Sequence, residues 1–180
     1  GDSEAHATLW NLSPSQDQLT DLSPARVWIG LKNSDAVGIK FDLLAEVYKD
    51  GTLIGSGQLD KVSGGSSGFN NAQLHTIPLS LFAPVNAPQD STLSIKVYVR
   101  NTCYGNTHNS GTSRLWYNDA FANSQFGATI DHMARSYFLQ NEFVLGTIPG
   151  SGPKETIDVE VGQPCGPYKL FGIWSTSIMP

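Results

Sequence analysis

One short motif has the residue types of a serine nucleophile. Gly64-Gly65-Ser66-Ser67-Gly68 matches the pattern Gly-x-Ser-x-Gly, which in many hydrolases places the serine on a sharp turn between a strand and a helix. The pentapeptide lies in a stretch rich in Gly and Ser, and no helical pattern follows it before Pro78. We therefore interpret residues 64–68 as a flexible loop and not as a catalytic turn.

Two glutamates are a second candidate for catalysis. Glu46 and Glu142 both fall in strand-like segments. Paired carboxylates cleave a glycosidic bond when one protonates the leaving group and the other acts as base or nucleophile. Nothing in the sequence brings the two together, so we expect solvent-facing acids. A small jelly-roll glycoside hydrolase stays open as an alternative.

Histidines and aspartates show no recognisable metal-binding spacing. The four histidines, His6, His75, His108 and His132, are far apart in sequence, although Asp119 and Asp131 are able to join His108 and His132 if their loops share one end of a sandwich. Calcium is the better candidate ion, because extracellular β-sandwiches often fix loops with carboxylate and carbonyl oxygens. The carboxylates available for it are Asp42, Asp119, Asp131 and Asp158.

Aromatic residues that alternate with aliphatic ones give the strongest functional signal. Successive side chains of a strand point to opposite faces, so Trp28, Tyr48 and Tyr98 point outward if their aliphatic neighbours face the core. Trp116 and Tyr117 are consecutive, so one of them must also leave the core. Flat rings on a rigid sheet suit sugar binding, because the C–H face of a pyranose stacks on such a ring.

Polar residues around Tyr104 supply the hydrogen-bonding groups that a sugar site needs. Amides and charged groups cluster there, namely Asn101, Asn106, His108, Asn109 and Arg114. The predicted ligand-binding residues are therefore Trp28, Tyr48, Tyr98, Tyr104, Asn106, His108, Arg114, Trp116 and Tyr117. The alternative is that a long loop covers the outward aromatic residues, or that they fill a second layer.

Strand patterns run along the whole chain and must position these residues. Residues 25–32 and 92–101 alternate, and Asp50-Gly51 between two apolar runs predicts a hairpin. Residues 11–24 predict a long connection with one helical turn, and residues 55–71 predict the end of a strand followed by a loop. Pro78 indicates that the strand containing it lies at a sheet edge. A first strand at residues 5–10 is expected to pair with the last one, which carries Trp174.

About ten strands without intervening helices predict one all-β domain over residues 1–180. The expected architecture is an antiparallel β-sandwich of jelly-roll or immunoglobulin-like type. This pattern is similar to that of secreted non-catalytic β-sandwich modules, including carbohydrate-binding ones, and the likeness is one of architecture alone.

Composition and charge exclude several partners. Charged residues are 15% of the chain, the net charge is −5, and the basic residues are scattered. Nucleic acid and anionic membrane surfaces are therefore unfavourable partners. No apolar run approaches the roughly 20 residues of a membrane-spanning helix.

The two cysteines indicate the compartment. Cys103 and Cys165 are predicted to form one disulfide, which fits a secreted or extracellular protein. Taken together, the sequence predicts a secreted, non-catalytic module that binds polysaccharide or glycan through aromatic residues. A structural or adhesive subunit that self-associates through edge strands is the second hypothesis.

Overall fold

Two antiparallel β-sheets face each other across a shared hydrophobic core. The computed structural model describes residues 17–104, 108–140 and 150–178. In chain order the strands are β1 (Gln18–Leu31), β2 (Lys40–Lys49), β3 (Thr52–Ser63), β4 (Gln73–Ile77), β5 (Ser80–Leu81), β6 (Val85–Asn86), β7 (Thr92–Asn101), β8 (Gly111–Tyr117), β9 (Gln125–Ile130), β10 (Met133–Phe138), β11 (Glu155–Val161) and β12 (Lys169–Ser177). The chain is therefore an all-β sandwich, as the alternation predicts.

Sheet A contains seven strands, and β1 is paired along both of its edges. One edge pairs with β4 and β6. The other edge pairs with β8 along residues 28–31 and with β9 along residues 19–26. On their far sides β8 pairs with β11 and β9 pairs with β10. Sheet A thus consists of two half-sheets that share β1.

The two half-sheets meet along a line that we call the seam, at Ser23–Val27 of β1. Here the partner of β1 changes from β9 to β8, and residues 118–124 leave the sheet between them. Ser124 bridges the gap, because its hydroxyl accepts the Trp28 amide proton at 3.1 Å and donates to the Trp116 carbonyl at 2.8 Å. A side chain therefore replaces the missing backbone ladder.

The seam explains why one prediction from the sequence was wrong. Residues 11–24 were expected to form a connection with a helical turn, yet the described part, from Gln18 onward, belongs to β1. Pro24 is tolerated because the register shifts between Ser23 and Arg26, so the ladder lacks a regular hydrogen bond at this position. The expected strand at residues 5–10, and its pairing with the Trp174 strand, lie outside the described residues.

Sheet B contains five strands in the order β12-β7-β2-β3-β5. The hairpin of β2 and β3 turns at Asp50 and Gly51, whose φ angles of 49° and 82° match the two positive values of a type I′ turn. This confirms the Asp-Gly prediction. β3 continues to Ser63, farther than the sequence indicates, because its Gly- and Ser-rich half still pairs with β2.

The chain crosses between the sheets after β4. β4 ends at Ile77 on the edge of sheet A, and Pro78 follows it directly. Proline is tolerated at this position because it has no N–H to donate to a neighbouring strand. β5 then pairs with β3 in sheet B, and β6 returns to β1.

One disulfide and the aliphatic faces of both sheets hold the sandwich together. Alternate residues such as Val27, Ile29, Val97 and Val99 are buried in the core. Cys103 after β7 is bonded to Cys165 before β12, as predicted. The two helical segments of the described ranges, Ser34–Ala36 and Phe69–Asn71, have three residues each, so neither is long enough to cross a membrane.

Candidate functional site

The predicted ligand-binding residues fall at four separate places. Trp28, Arg114 and Trp116 lie on the outer face of sheet A, and Tyr48 and Tyr98 lie on the outer face of sheet B. Tyr104 and His108 lie at the end of the sandwich near the disulfide, and Tyr117 lies in the core. Asn106 lies outside the described residues. These residues therefore do not form a single site.

Four aromatic rings cover the outer face of sheet A at the seam. Trp28 and Trp116 are register partners on β1 and β8. Phe121, from residues 118–124, lies 4.6 Å from Trp28 between ring centroids, and Phe69 lies 5.3 Å from Trp116. Phe69 and Phe121 are also 5.3 Å apart. We call these four residues the sheet A aromatic cluster.

The sheet A aromatic cluster packs against itself and does not form a flat platform. Its rings meet at interplanar angles of 43° to 68°, and Trp116 is 7% exposed. Rings that meet edge to face stabilise one another. The sequence leaves open whether outward aromatic residues are exposed or covered by a loop. Trp116 is covered, because Phe69 and Phe121 come from loops that fold over the sheet.

Tyr117 faces the core. Its side chain is 1% exposed, and its ring meets Trp174 edge to face with 5.5 Å between centroids. Since Trp116 and Tyr117 are consecutive, only one can face inward, and the structure puts Tyr117 there. The ring packs between the sheets and reaches neither outer face.

Arg114 forms an ion pair with a residue of the neighbouring strand β11. Its Nε and Nη2 atoms donate to the two carboxylate oxygens of Asp158 on β11 at 2.7 and 2.9 Å. The hydrogen bond from Arg114 lowers the pKa of Asp158 below its ordinary value. The guanidinium also lies 5.6 Å from the centroid of Trp116. Arg114 therefore serves the packing of sheet A.

The outer face of sheet B carries the other two predicted rings, with charged groups between them. Tyr48 and Glu46 lie on β2, and Lys96 and Tyr98 lie on β7, with Glu46 directly opposite Lys96. The Tyr48 hydroxyl donates to Glu46 Oε1 at 3.0 Å, and Lys96 Nζ lies 4.4 Å from the centroid of the Tyr48 ring. We call these four residues the tyrosine patch.

Glu46 organises both rings of the tyrosine patch. Partial burial raises the pKa of Tyr98 to about 12, and the hydrogen bond and negative charge of Glu46 raise it in the same direction. The Tyr98 hydroxyl therefore stays protonated, and its hydrogen bond to Glu46 fixes the position of the ring. Because both side chains are already ordered, binding a ligand there costs little side-chain entropy.

Apolar side chains border the tyrosine patch. Leu44 on β2 and Leu170 on β12 flank Tyr98 in register, and Ile173 lies opposite Lys96. Leu170 and Ile173 are both exposed, Ile173 by 54%. The face thus combines rings, aliphatic surface and hydrogen-bonding groups on regular strands.

A buried carboxylate, Asp42, lies at one end of this face, opposite Arg100. Asp42 is 1% exposed and accepts three hydrogen bonds, from the Lys61 amide at 2.9 Å, Arg100 Nε at 2.8 Å and Thr102 Oγ1 at 2.7 Å. The other side of Arg100 stacks on Tyr168, with 4.4 Å from the guanidinium carbon to the ring centroid. Arg100 is therefore fixed between a carboxylate and an aromatic ring.

A polar groove of about 620 Å³ lies at the end of the sandwich. Its lining includes Asn33, Asp35, His108, Asn109, Glu160 and Lys169. A smaller cavity of about 280 Å³ adjoins it, because Val161, Gly162 and Lys169 line both. Arg100 lines the smaller cavity, which therefore touches one edge of the sheet B face.

Of the two end-loop residues of the prediction, His108 lines this groove. The His108 ring nitrogen Nε2 is 3.0 Å from the Val37 carbonyl oxygen, and the Asn101 side chain donates to the His108 carbonyl at 2.8 Å. Tyr104 follows Cys103 directly and is 67% exposed. His108 is thus held in place beside the groove.

The catalytic motifs do not assemble among the described residues. The Ser66 carbonyl accepts the Leu31 amide proton at 3.0 Å, and the helical segment that follows has only the three residues Phe69–Asn71. This is not the strand-turn-helix geometry that a nucleophilic serine needs. Glu142, the proposed partner of Glu46, lies outside the described residues.

The candidate calcium ligands are separated in space. Asp42 bonds Arg100, Asp158 bonds Arg114, Asp119 accepts the Phe121 amide proton at 2.9 Å, and Asp131 accepts the Asp17 amide proton. Within residues 17–104, 108–140 and 150–178, no three His, Cys, Asp or Glu side chains gather as metal ligands. Asp131 and His132 turn beside Gln18, whereas His108 lies beside Val37, so β1 separates them.

Sequence reasoning missed the β12 side of the sheet B face and the groove. Leu170 and Ile173 share a face although they are three residues apart, because a register shift falls between Leu170 and Gly172. Strict alternation therefore fails at this point. The groove joins segments near residues 33, 109 and 160, and nothing in their local sequence signals that they meet.

Comparisons with protein-family models, curated proteins and solved structures find no match to this chain.

Proposed function

We propose that this protein is a non-catalytic module that binds polysaccharide or glycan on the outer face of sheet B. The observation that carries the proposal is the tyrosine patch, in which two partly exposed rings are held by one carboxylate on adjacent strands. Pyranose rings stack on such side chains through their C–H faces, and Glu46 and Lys96 are available for hydroxyl groups.

The outer face of sheet A supports the proposal less well. Trp116 is covered, and the rings of its cluster are tilted against one another. A sugar that stacked there would have to displace Phe69 or Phe121. On sheet B the bordering side chains Leu170 and Ile173 are exposed, so the apolar surface is continuous with the rings.

An extracellular location is part of this proposal. The disulfide between Cys103 and Cys165 is compatible with an oxidising compartment, where polysaccharides are accessible.

The test is binding to soluble glucan and xylan, measured by affinity electrophoresis and calorimetry. We expect Tyr98→Ala to weaken binding at least about tenfold, because a central aromatic contact contributes more than 1.4 kcal/mol. Tyr98→Phe keeps the ring and is expected to retain most of the affinity.

The matched control is Phe121→Ala, which removes an exposed ring from the opposite sheet. It should leave the affinity unchanged, with circular dichroism confirming that each variant is folded. Equal losses in Phe121→Ala and Tyr98→Ala, or no binding of the wild type to a broad glycan panel, would contradict the proposal.

A second candidate function, self-association through β12, has its own supporting observation. β12 pairs with β7 on one side, and no strand of the described ranges pairs with its other edge. From Leu170 to Ser177 the strand carries no charge, whereas exposed edge strands are usually protected by charges or proline. Exposed Ile173 lies on this strand.

Light scattering across a range of concentrations tests self-association. If β12 pairs with a second copy, wild-type mass should rise with concentration, and Ile173→Lys should keep the protein monomeric. Met133→Lys, at an exposed apolar position on β10, is the control and should behave as wild type. A wild type that stays monomeric at high concentration would rule this candidate out.

A further inference from the structure

We infer that the ligand is an extended glycan chain, which runs from the tyrosine patch past Arg100 into the polar groove at the end of the sandwich. This inference rests on the proposed function and adds the class of glycan. A module that recognises only a terminal sugar needs the tyrosine patch alone, whereas a longer chain needs a continuous surface beyond it.

The first step is the continuity of the surface along β7 and β12. Tyr98 and Arg100 both lie on the outer face of β7, two residues apart. Tyr168, two residues before Leu170, stacks on Arg100, with 4.4 Å from the guanidinium carbon to the ring centroid. Rings and a guanidinium thus extend the tyrosine patch towards the end of sheet B.

The second step links this edge to the groove. Arg100 lines the smaller cavity of about 280 Å³, and Lys169 lines both this cavity and the groove of about 620 Å³. The two spaces therefore adjoin at a shared wall that includes Lys169. A chain that leaves the sheet B face beside Arg100 has open volume ahead of it.

The third step is the chemistry of the groove. Its lining combines acceptors and donors, with Asp35 and Glu160 as carboxylates, Asn33 and Asn109 as amides, and Lys169 as an ammonium. Sugar hydroxyls both donate and accept hydrogen bonds, so this mixture suits a neutral polyhydroxylated ligand. Because carboxylates and an ammonium group line the same groove, a strongly charged ligand of either sign is less favourable there.

The fourth step is rigidity. The turn between β11 and β12 lines both spaces, and the disulfide ties it to Cys103. The Cys165 amide donates to the Asn101 carbonyl at 3.0 Å, and the Asn101 side chain donates to the Gly162 carbonyl at 2.9 Å. This side of the groove is therefore fixed before a ligand arrives, which lowers the cost of ordering it.

The experiment measures affinity for a disaccharide and a hexasaccharide of β-1,4-linked glucose and of β-1,4-linked xylose. In the wild type the hexasaccharide should bind more tightly than the disaccharide. Glu160→Gln and Lys169→Ala should each weaken hexasaccharide binding by about fivefold and leave disaccharide binding unchanged, because only the longer ligand reaches the groove.

Asp21→Asn is the matched control, because it changes an exposed carboxylate on β1 of sheet A, and it should bind both ligands as wild type does. Equal affinity of the wild type for both lengths, or groove variants that bind the hexasaccharide normally, would overturn the extended-chain inference while Tyr98→Ala still reports on the proposed function. Failure of the wild type to bind any glycan would overturn both.

Discussion

Asp42 shows how a single residue stabilises the face that we propose for binding. Its carboxylate is buried and receives hydrogen bonds from Lys61, Arg100 and Thr102. Burial raises the pKa of Asp42, but the hydrogen bonds from Thr102, the Lys61 amide and Arg100, with the charge of Arg100, bring it below the ordinary value of 3.8. The Asp42 carboxylate is therefore engaged by hydrogen bonds within the fold.

Asp42 should make the folding stability sensitive to acid. Because the pKa is lowered in the folded state, the stabilisation is fully present above the ordinary value and is lost as the pH falls through the folded-state pKa. Asp42→Asn is expected to lower the free energy of unfolding by about 2–3 kcal/mol at neutral pH. Urea unfolding followed by fluorescence should show that this difference shrinks as the pH falls below the ordinary value of 3.8.

Asp60→Asn serves as the control for Asp42. Asp60 is an exposed acid on β3, whose side chain accepts a long hydrogen bond of 3.4 Å from Gln58. Its replacement should change the stability little at either pH. If Asp42→Asn and wild type lost stability in parallel over the whole pH range, the acid sensitivity would belong to other carboxylates.

At the residue scale, alternation predicts the direction of side chains but not what covers them. Trp28, Tyr48 and Tyr98 lie on the faces opposite their aliphatic neighbours, as the sequence indicates. Phe69 and Phe121, which cover Trp116 and Trp28, come from loops without periodicity. Whether an outward ring is open or covered therefore depends on loop packing, which the local pattern does not encode.

At the scale of elements, glycines of β3 allow another segment to cross it. A Cβ atom on Gly57 would lie 1.6 Å from the Pro78 carbonyl oxygen, and one on Gly55 would lie 2.7 Å from the Ser80 carbonyl oxygen. The chain from β4 to β5 passes against the backbone of β3 at these two positions. The glycines thus make the change of sheets sterically feasible.

Gly57→Ala should consequently destabilise the protein more than a typical surface substitution. We expect a loss of about 3 kcal/mol or more, because the new methyl group meets backbone atoms that cannot rotate away. Thermal and urea unfolding measure the loss. Gly162→Ala is the matched control, since a Cβ there has no neighbour within 4 Å. Equal stability of Gly57→Ala and wild type would show that the crossing does not pass so close.

Pairing partners of the elements were harder to predict than their type. The turn at Asp50-Gly51 and the strand at residues 92–101 follow from local signals. By contrast, β1 changes partner at the seam, and Ser124 replaces part of the ladder there. This arrangement depends on contacts between residues about 100 positions apart, which no window of sequence contains.

For the whole molecule, the two sheets present different outer faces. Sheet A is covered at the seam by its aromatic cluster, and Arg114 is paired with Asp158. Sheet B leaves a mixed surface of tyrosine, leucine and isoleucine, on which Arg100 is paired with Asp42 and Glu46 lies opposite Lys96. Fold class was predictable because all strands share one period, whereas the difference between the faces arises only when the loops fold over one of them.

The seam also bears on how such a chain can change over generations. Residues 118–124 leave sheet A between β8 and β9, which both pair with β1. Because β1 fixes both ends of this excursion, its length is not set by the sheet. Insertions and deletions at this place are compatible with an unchanged core, which makes the seam the natural point for acquiring new surface without inventing a new fold.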